Sequence, residues 1–253
     1  MEVSSRDDSE YRILVQNRVR YLIISAGTFE RSTLSMPLNS LPEFPEDHTW
    51  NMAYVNRDPS SGEVAMKLQQ TNLIGITHLW HPVLIDCLEL KRIKQFTATT
   101  YEAIYSGDES LATMSSPVVI VKVARFEWEL PRLSLETLIY KSLEDRGLAP
   151  RFIGHVHEHG RVIGFMLEKL EGREANIKDL SSCQSALQRL HDLGILHGDA
   201  NRYNFIIQDE KARLIDFEKS QLCHGSTACM QAEMDSLCDQ LVEDTGRGAG
   251  FTR

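Results

Sequence analysis

The amino-acid sequence predicts an α+β fold in which a β-rich N-terminal module precedes a larger region of strands and helices. Two observations indicate this. Within the first 70 residues, strand-like runs such as Tyr11 to Gln16 and Val19 to Ser25 alternate with turn-rich loops. From about residue 83 onward, apolar β-branched runs alternate with segments of helical periodicity, and Val118 to Val123 is the clearest strand. The first module carries no recognisable chemistry, so we expect the functional residues in the second region.

Three segments of the second region have helical periodicity. The first helix opens at Pro131, and its predicted apolar stripe consists of Leu135, Leu138, Ile139 and Leu143. The second starts near Ser181 and stops at Gly194, and the last covers residues 227–243. At the start of the second region, Val83 to Ile93 is predicted to form one continuous strand.

Composition and charge limit the classes of partner. The chain has 253 residues, of which 42% are hydrophobic and 25% charged, as in ordinary globular proteins. A formal net charge of -9 argues against a nucleic acid or an anionic membrane as partner. The N-terminus is too polar for a signal peptide, and the five cysteines lack a disulfide-like spacing. We therefore expect a cytoplasmic protein without nucleic-acid or membrane partners, and the sequence leaves its oligomeric state open.

The residues that carry chemistry lie after the second helix. A polar loop presents Asp199, and Asn204 follows five residues later, just before a short apolar strand. A second short strand ends at Asp216, and a hairpin between the two strands would bring Asn204 and Asp216 together. Phosphoryl transfer needs such a cluster, because one carboxylate orients or deprotonates the acceptor while hard oxygen ligands hold magnesium.

This segment resembles the protein-kinase-like superfamily. The superfamily's catalytic loop reads H-R-D-x-x-x-x-N and its metal motif reads D-F-G; here they stand as H-G-D-A-N-R-Y-N and D-F-E. The H-G-D form is similar to aminoglycoside phosphotransferases and other small-molecule or compact atypical kinases. The resemblance implies that Asp199 is the catalytic aspartate, that Asn204 and Asp216 hold Mg²⁺, and that ATP is the phosphoryl donor.

The upstream half of the chain agrees with the resemblance. Lys122 interrupts an apolar strand, where an unpaired charge is costly. In kinases the corresponding lysine binds the α- and β-phosphates and pairs with a helix glutamate. The resemblance assigns these roles to Lys122 and Glu136, although Glu127 and Glu129 are also available as the partner. An edge-strand lysine with a solvated head is the alternative.

The resemblance also implies a two-lobed kinase-like fold with a β-rich N-terminal extension and a shortened C-lobe. We assign residues 1–80 to the extension, 81–170 to the N-lobe and hinge, and 171–253 to the C-lobe. The segment from Phe165 to Leu170 would be the hinge, and the resemblance implies that its backbone meets the adenine edge at Glu168, Lys169 and Leu170. An ordinary strand end is the alternative.

Several features depart from the superfamily's pattern. The region Arg92 to Thr100, where the glycine-rich loop belongs, contains no glycine. Glu218 replaces the glycine after Asp-Phe, so it is either a further metal ligand or a sign that this segment does not flip. Gly198 replaces the arginine that pairs with a phosphorylated activation loop. No Ala-Pro-Glu motif follows, and Asp235 on the last helix is a candidate support for the catalytic loop.

Three functions fit these residues. The first is an ATP- and Mg-dependent phosphotransferase that acts on a hydroxyl of a small molecule or a protein. The alternative is a catalytically weak pseudokinase that serves as a nucleotide-binding or interaction module, as the missing glycine loop suggests. A metal-dependent hydrolase is the third, but it gives Lys122 no obvious task. Separately, His155, His157 and His159 would share one strand face, where solvent exposure is more typical than a metal site.

Overall fold

The computed structural model describes residues 7–45, 49–105, 117–223, 227–243 and 245–246. The chain divides into two compact units, residues 1–74 and 75–253. Both contain strands and short helices, and the mixed α+β composition predicted from the sequence is confirmed. Among the described residues, no helix combines the length and apolar character needed to cross a membrane.

The first unit is built on one four-stranded sheet. Its strands β1 to β4 follow the chain order and comprise Ser9–Val15, Arg18–Ile24, Met52–Arg57 and Val64–Gln69. Strands β2 and β3 run parallel, and the other pairs are antiparallel. The connection between them contains the short helix α1, Arg31–Leu34. A buried core around Leu22, Trp50 and Val55 holds the unit together, and the Arg20 guanidinium lies 3.9 Å from the centroid of the Trp50 ring.

The second unit begins with a six-stranded sheet of order β5-β9-β10-β8-β7-β6. Only the β5–β9 pair is parallel. These six strands, β5 to β10 in chain order, are Leu84–Asp86, Leu90–Gln95, Thr100–Tyr105, Val118–Val123, Phe152–Glu158 and Arg161–Glu168. Helix α2, Leu130–Leu143, follows β8.

The remaining elements are small sheets and two helices. Strands β11, β13 and β14 form a three-stranded sheet, and β12 pairs with β15. The strands β11 to β15 comprise Arg173–Glu174, Ile195–Leu196, Phe205–Gln208, Lys211–Leu214 and Gln221–Leu222. Helix α3, Leu180–His191, and helix α4, Thr227–Val242, share one hydrophobic core with α2 and the strands β10, β13 and β14.

Three local predictions from the sequence are wrong. The continuous strand at residues 83–93 is two strands, because a 3-10 turn at Cys87–Glu89, capped by the Asp86 carboxylate, separates β5 from β6. The first helix buries Ile139 and Leu143 as predicted, but it also buries Leu133, Glu136 and Tyr140 and leaves Leu135 and Leu138 half-buried. Its buried face includes a carboxylate that no apolar pattern reveals.

The third error concerns the histidines. His155 is fully buried in β9, whereas His159 lies outside the strand with a φ of 50°. The His155 ring packs against Phe152 and Trp80, at centroid distances of 5.0 and 6.3 Å. Its Nε2 accepts hydrogen bonds from the backbone amides of Trp80 and His81. His155 is therefore a packing residue in the interior of the second unit, and the three histidines do not form an exposed face.

Candidate active site

The buried lysine of β8 is the centre of the site. Lys122 Nζ lies 2.8 and 3.0 Å from the two carboxylate oxygens of Glu136 on α2, and 2.6 Å from Asp216 Oδ1. Glu136 is fully buried, and one of its oxygens also accepts a hydrogen bond from the Phe217 amide at 3.1 Å. Glu136 thus connects α2 to β8 and to the segment that carries Asp216.

The two other candidate partners of Lys122 have different contacts. Glu129 accepts hydrogen bonds from the Arg125 guanidinium and from the amides of Arg125 and Phe126. Glu127 is exposed. Of the three glutamates named from the sequence, the structure therefore brings only Glu136 to the lysine.

Electrostatics favour ionised groups at this centre. Burial disfavours the charged form of Lys122, but the negative charges of Glu136, Asp216 and Glu218 raise its pKa well above the usual value. Burial acts to raise the pKa of Asp216, yet Lys122 lowers it below the ordinary range. Burial raises the pKa of Glu136 to about 7. Its described hydrogen-bond partners are all donors, however, and this geometry favours the carboxylate.

The predicted catalytic loop, residues 197–204, is a tight turn after β12. Asn201 caps a short 3-10 helix, Arg202–Asn204, by accepting a hydrogen bond from the Tyr203 amide. Asn204 is buried, and its side-chain amide donates to the Asp199 carbonyl oxygen at 2.8 Å. Because the Asn204 amide group donates through Nδ2, its Oδ1 remains the group with cation-binding chemistry.

The hairpin predicted to join Asn204 and Asp216 is present. Strands β13 and β14 pair antiparallel, and the Ile215 amide donates to the Asn204 carbonyl at 3.0 Å. Asp216, the next residue, has a φ of 65°, a left-handed conformation that is uncommon outside glycine. The His197 ring stabilises this turn, because its Nε2–H donates a hydrogen bond to the Ile215 carbonyl at 3.1 Å.

Glu233 supports the catalytic loop, whereas the sequence suggested Asp235. One Glu233 oxygen accepts from His191 Nε2 at 2.7 Å and from the His197 amide at 3.1 Å, and the other accepts from the Gly198 amide at 2.6 Å. Burial acts to raise the pKa of Glu233, but these hydrogen bonds lower it overall. Asp235 is exposed and instead accepts from Gln231 within α4. A signal was available, because Glu233 precedes the buried Leu237 by one helical turn.

Gly198 is required by its surroundings. Its φ is +79°, and a Cβ atom there would lie 2.3 Å from the Lys219 carbonyl oxygen. The backbone after Asp216 therefore crosses directly over the catalytic loop. Any larger residue at position 198, including arginine, would push the Lys219 backbone away from this loop.

Glu218 and Lys219 lie at the mouth of the site. Glu218 is 3.6 Å from Lys122 and 3.7 Å from Arg132, while Lys219 is 3.0 Å from Asp199 Oδ2. Ligand oxygens of Glu136, Asp216 and Glu218 lie within 4.8 Å of one another, and the Lys122 ammonium contacts all three carboxylates. Lys219 was not among the residues predicted from the sequence motifs.

The hinge side chains are engaged in ion pairs. The Glu168 carboxylate accepts from Arg213 and from the Arg151 amide, both at 3.0 Å. Lys169 pairs with Glu102 of β7 at 3.1 Å. These pairs connect the end of β10 to β7 and β14.

The hairpin loop between β6 and β7 takes the place of a glycine-rich loop. Its amides of Phe96 and Thr97 donate to the Thr100 carbonyl, and the amides of Thr99 and Thr100 donate to Thr97 Oγ1. These four N–H groups are used inside the turn. In this conformation they do not form a phosphate cradle of the kind that glycine-rich loops provide.

Comparison with protein families agrees with the geometry. A model of the lipopolysaccharide kinase (Kdo/WaaP) family matches residues 168–246, about a third of the chain. The match begins at the hinge and includes Asp199, Asn204 and Asp216. It confirms the resemblance to the protein-kinase-like superfamily and supports a kinase-like phosphotransferase. Comparison with curated proteins gives no significant match.

Proposed function

From its resemblance to the protein-kinase-like superfamily, we propose that the chain is an ATP- and Mg-dependent phosphotransferase. It would transfer the γ-phosphoryl group to a hydroxyl group of a small molecule or a protein. The observation that carries the proposal is the contact of one buried lysine, Lys122, with both Glu136 and Asp216. A structural core has little reason to bury Lys122 and Glu136 and to place the partly exposed Asp216 carboxylate against them, whereas phosphate binding requires the lysine to be held in place.

The residues present fit both ATP and Mg²⁺. Asp216 and Asn204 supply the hard oxygen ligands that Mg²⁺ prefers. Lys122 supplies the charge for the α- and β-phosphates, and Glu168, Lys169 and Leu170 would present the hinge backbone to adenine. When bound, the metal neutralises phosphate charge. In this proposal Asp199, whose side chain is 30% exposed, takes the proton of the acceptor hydroxyl. In this proposal residues 81–170 act as the N-lobe and 171–253 as the C-lobe.

The family match favours a sugar-bearing acceptor, because the matched family is named for lipopolysaccharide kinases. The fold alone does not define the acceptor. A panel of sugars and glycolipids, run beside hydroxyl-bearing peptides, separates the two acceptor classes. Phosphate transfer to the peptides alone would contradict the sugar assignment.

The central test is nucleotide binding by calorimetry, with and without Mg²⁺. Asp216→Asn removes a metal ligand's charge and keeps a residue that tolerates the left-handed backbone. We expect Mg-dependent ATP binding by the wild type and a loss of at least tenfold in the variant. Asp239→Ala, an exposed site on α4, is the matched control and should bind as the wild type does. Absence of Mg·ATP binding by the wild type would refute the proposal.

A pseudokinase is the second candidate, and the loop between β6 and β7 favours it. Four of its amides already have partners in the turn, so phosphate binding there requires the loop to rearrange. ATP binding without turnover on any acceptor or on water would support this alternative.

A further inference from the structure

Lys219 is a cation on the catalytic loop that comes from a different segment of the chain. Its ammonium lies 3.0 Å from Asp199 Oδ2, and its side chain is 66% exposed. The catalytic loop from residue 197 to 204 contains one arginine and no lysine. That arginine, Arg202, stacks over the Tyr203 ring at 5.5 Å. In the described parts of the chain, Lys219 is the only ion-pair partner of Asp199.

The backbone around Lys219 is fixed to the catalytic loop. Strand β15 pairs with β12, so Leu222 lies opposite Ile195, and the buried Ser220 hydroxyl donates to the His197 carbonyl at 3.0 Å. The absence of a side chain at Gly198 lets the Lys219 carbonyl approach the loop. The lysine side chain is therefore exposed, while its backbone is held beside Asp199.

The site is acidic, so an anionic phosphate would need a further positive charge there. Lys122 already contacts three carboxylates, and the site as a whole contains one more acidic than basic side chain; its members are Lys122, Arg132, Lys219, Glu136, Asp199, Asp216 and Glu218. Such a surface repels a nucleotide's terminal phosphate. The ammonium of Lys219 is the exposed positive group closest to the aspartate that receives the acceptor's proton.

We propose that Lys219 is a catalytic residue that stabilises the transferring phosphoryl group, an inference that rests on the proposed function. In the reaction, a bond forms between the acceptor oxygen and the γ-phosphorus while the bond from that phosphorus to the β,γ-bridging oxygen breaks. The electron pair of the broken bond stays on ADP, and the hydroxyl proton passes to Asp199. As this happens, the Lys219 ammonium moves from Asp199 toward the phosphoryl oxygens and remains protonated throughout.

The test compares Lys219→Met and Lys219→Arg with the wild type, and Lys211→Met, at an exposed position of β14, is the control. Calorimetry measures binding of Mg·ADP alone and with aluminium fluoride, which imitates the transferring phosphoryl group. ATP hydrolysis, with water as acceptor, gives kcat and KM. Because a cation used in the transition state affects kcat more than ground-state binding, we expect kcat to fall about 100-fold in Lys219→Met. The affinity gained from aluminium fluoride should be lost, whereas Mg·ADP affinity and KM should change less than about threefold.

The outcomes separate this inference from the proposed function. Lys219→Arg should retain part of the activity, and Lys211→Met all of it. If the wild type binds no nucleotide, the proposed function fails and the inference with it. If the wild type binds nucleotide and Lys219→Met equals it in hydrolysis and in the response to aluminium fluoride, only the inference fails. A wild type that binds nucleotide but neither hydrolyses it nor responds to aluminium fluoride, or a variant whose ADP affinity falls as far as its kcat, also overturns it.

Discussion

The Glu233 carboxylate accepts a hydrogen bond from the Gly198 amide at 2.6 Å, and so joins helix α4 to the catalytic loop from 35 residues away. Its other oxygen accepts from His191 and from the His197 amide. A single side chain thus satisfies two loop amides and one imidazole. Its removal would leave the donors of the buried His191 and His197 without this partner, and each such donor costs about 1–3 kcal/mol.

We therefore expect Glu233→Gln to lower the free energy of unfolding by about 1–3 kcal/mol and to reduce turnover, because the loop that holds Asp199 loses its support. Urea denaturation and ATP hydrolysis measure the two effects. Asp235→Asn is the matched control on the same helix, and as an exposed change it should stay within about 0.5 kcal/mol. Equal losses in the two variants would show that Glu233 does not have this special role.

The pair of Lys122 and Glu136 should show strong coupling. Lys122→Met leaves the Glu136 carboxylate buried without its partner, and we expect a loss of about 3–5 kcal/mol in unfolding free energy. The double variant Lys122→Met/Glu136→Gln removes both charges and should recover a large part of that loss. Nucleotide binding should be lost in both. A double variant as unstable as the sum of the single changes would contradict the pairing.

Gly198 offers a test of the close approach of the Lys219 backbone. Gly198→Ala combines an unfavourable φ with a Cβ atom 2.3 Å from the Lys219 carbonyl oxygen. Gly160→Ala has a φ of +83° but open space around its Cβ, so it isolates the backbone effect, which is about 1 kcal/mol. We expect Gly198→Ala to cost clearly more in denaturant unfolding and to impair turnover, whereas Gly160→Ala should retain it. Equal losses of unfolding free energy in the two variants would show that the Lys219 backbone can shift at little cost.

His155 predicts a particular dependence of stability on pH. Burial and, to a smaller extent, the nearby His81 lower its pKa to about 4. Protonation would also remove the Nε2 acceptor of two backbone hydrogen bonds. The unfolded chain binds a proton near pH 6.5 and the folded chain only near pH 4, so stability is full above pH 6.5 and falls as the pH drops through this window. The contribution reaches at most about 3 kcal/mol.

The measurement is the unfolding free energy of the wild type and of His155→Gln between pH 7.5 and 4. Glutamine can accept the same hydrogen bonds but does not titrate, so the variant should lose less stability on acidification. Burial also lowers the pKa values of His81 and His197, and their contributions remain in both proteins. Parallel curves would contradict the role of His155.

The family resemblance and the hairpin within residues 197–216 could be predicted because the information for them is local. Asp199, Asn204 and Asp216 stand at short, fixed spacings on a loop and a hairpin, and the family match includes all three. Lys122 was visible as a charge inside an apolar strand, and Glu136 as one of three nearby glutamates. The choice among those three needed the geometry, because Glu129 turned out to bind Arg125.

The rest depends on contacts between distant segments. Glu233 and Lys219 reach the catalytic loop from elements whose packing no spacing rule defines. His155 looked like part of an exposed strand because periodicity shows which residues share a face and does not show which face is buried. The self-bonded turn between β6 and β7 was likewise invisible, since Thr and Ala residues are compatible with either a closed or an open loop.

The pairing of β12 with β15 has a consequence for control. The segment after Asp216 is fastened to the loop before Asp199 by strand hydrogen bonds and by Ser220. To move this segment away from the loop, the chain would have to break a small sheet and expose a buried hydroxyl. We therefore expect the segment to keep one conformation, so that it does not serve as a regulatory switch.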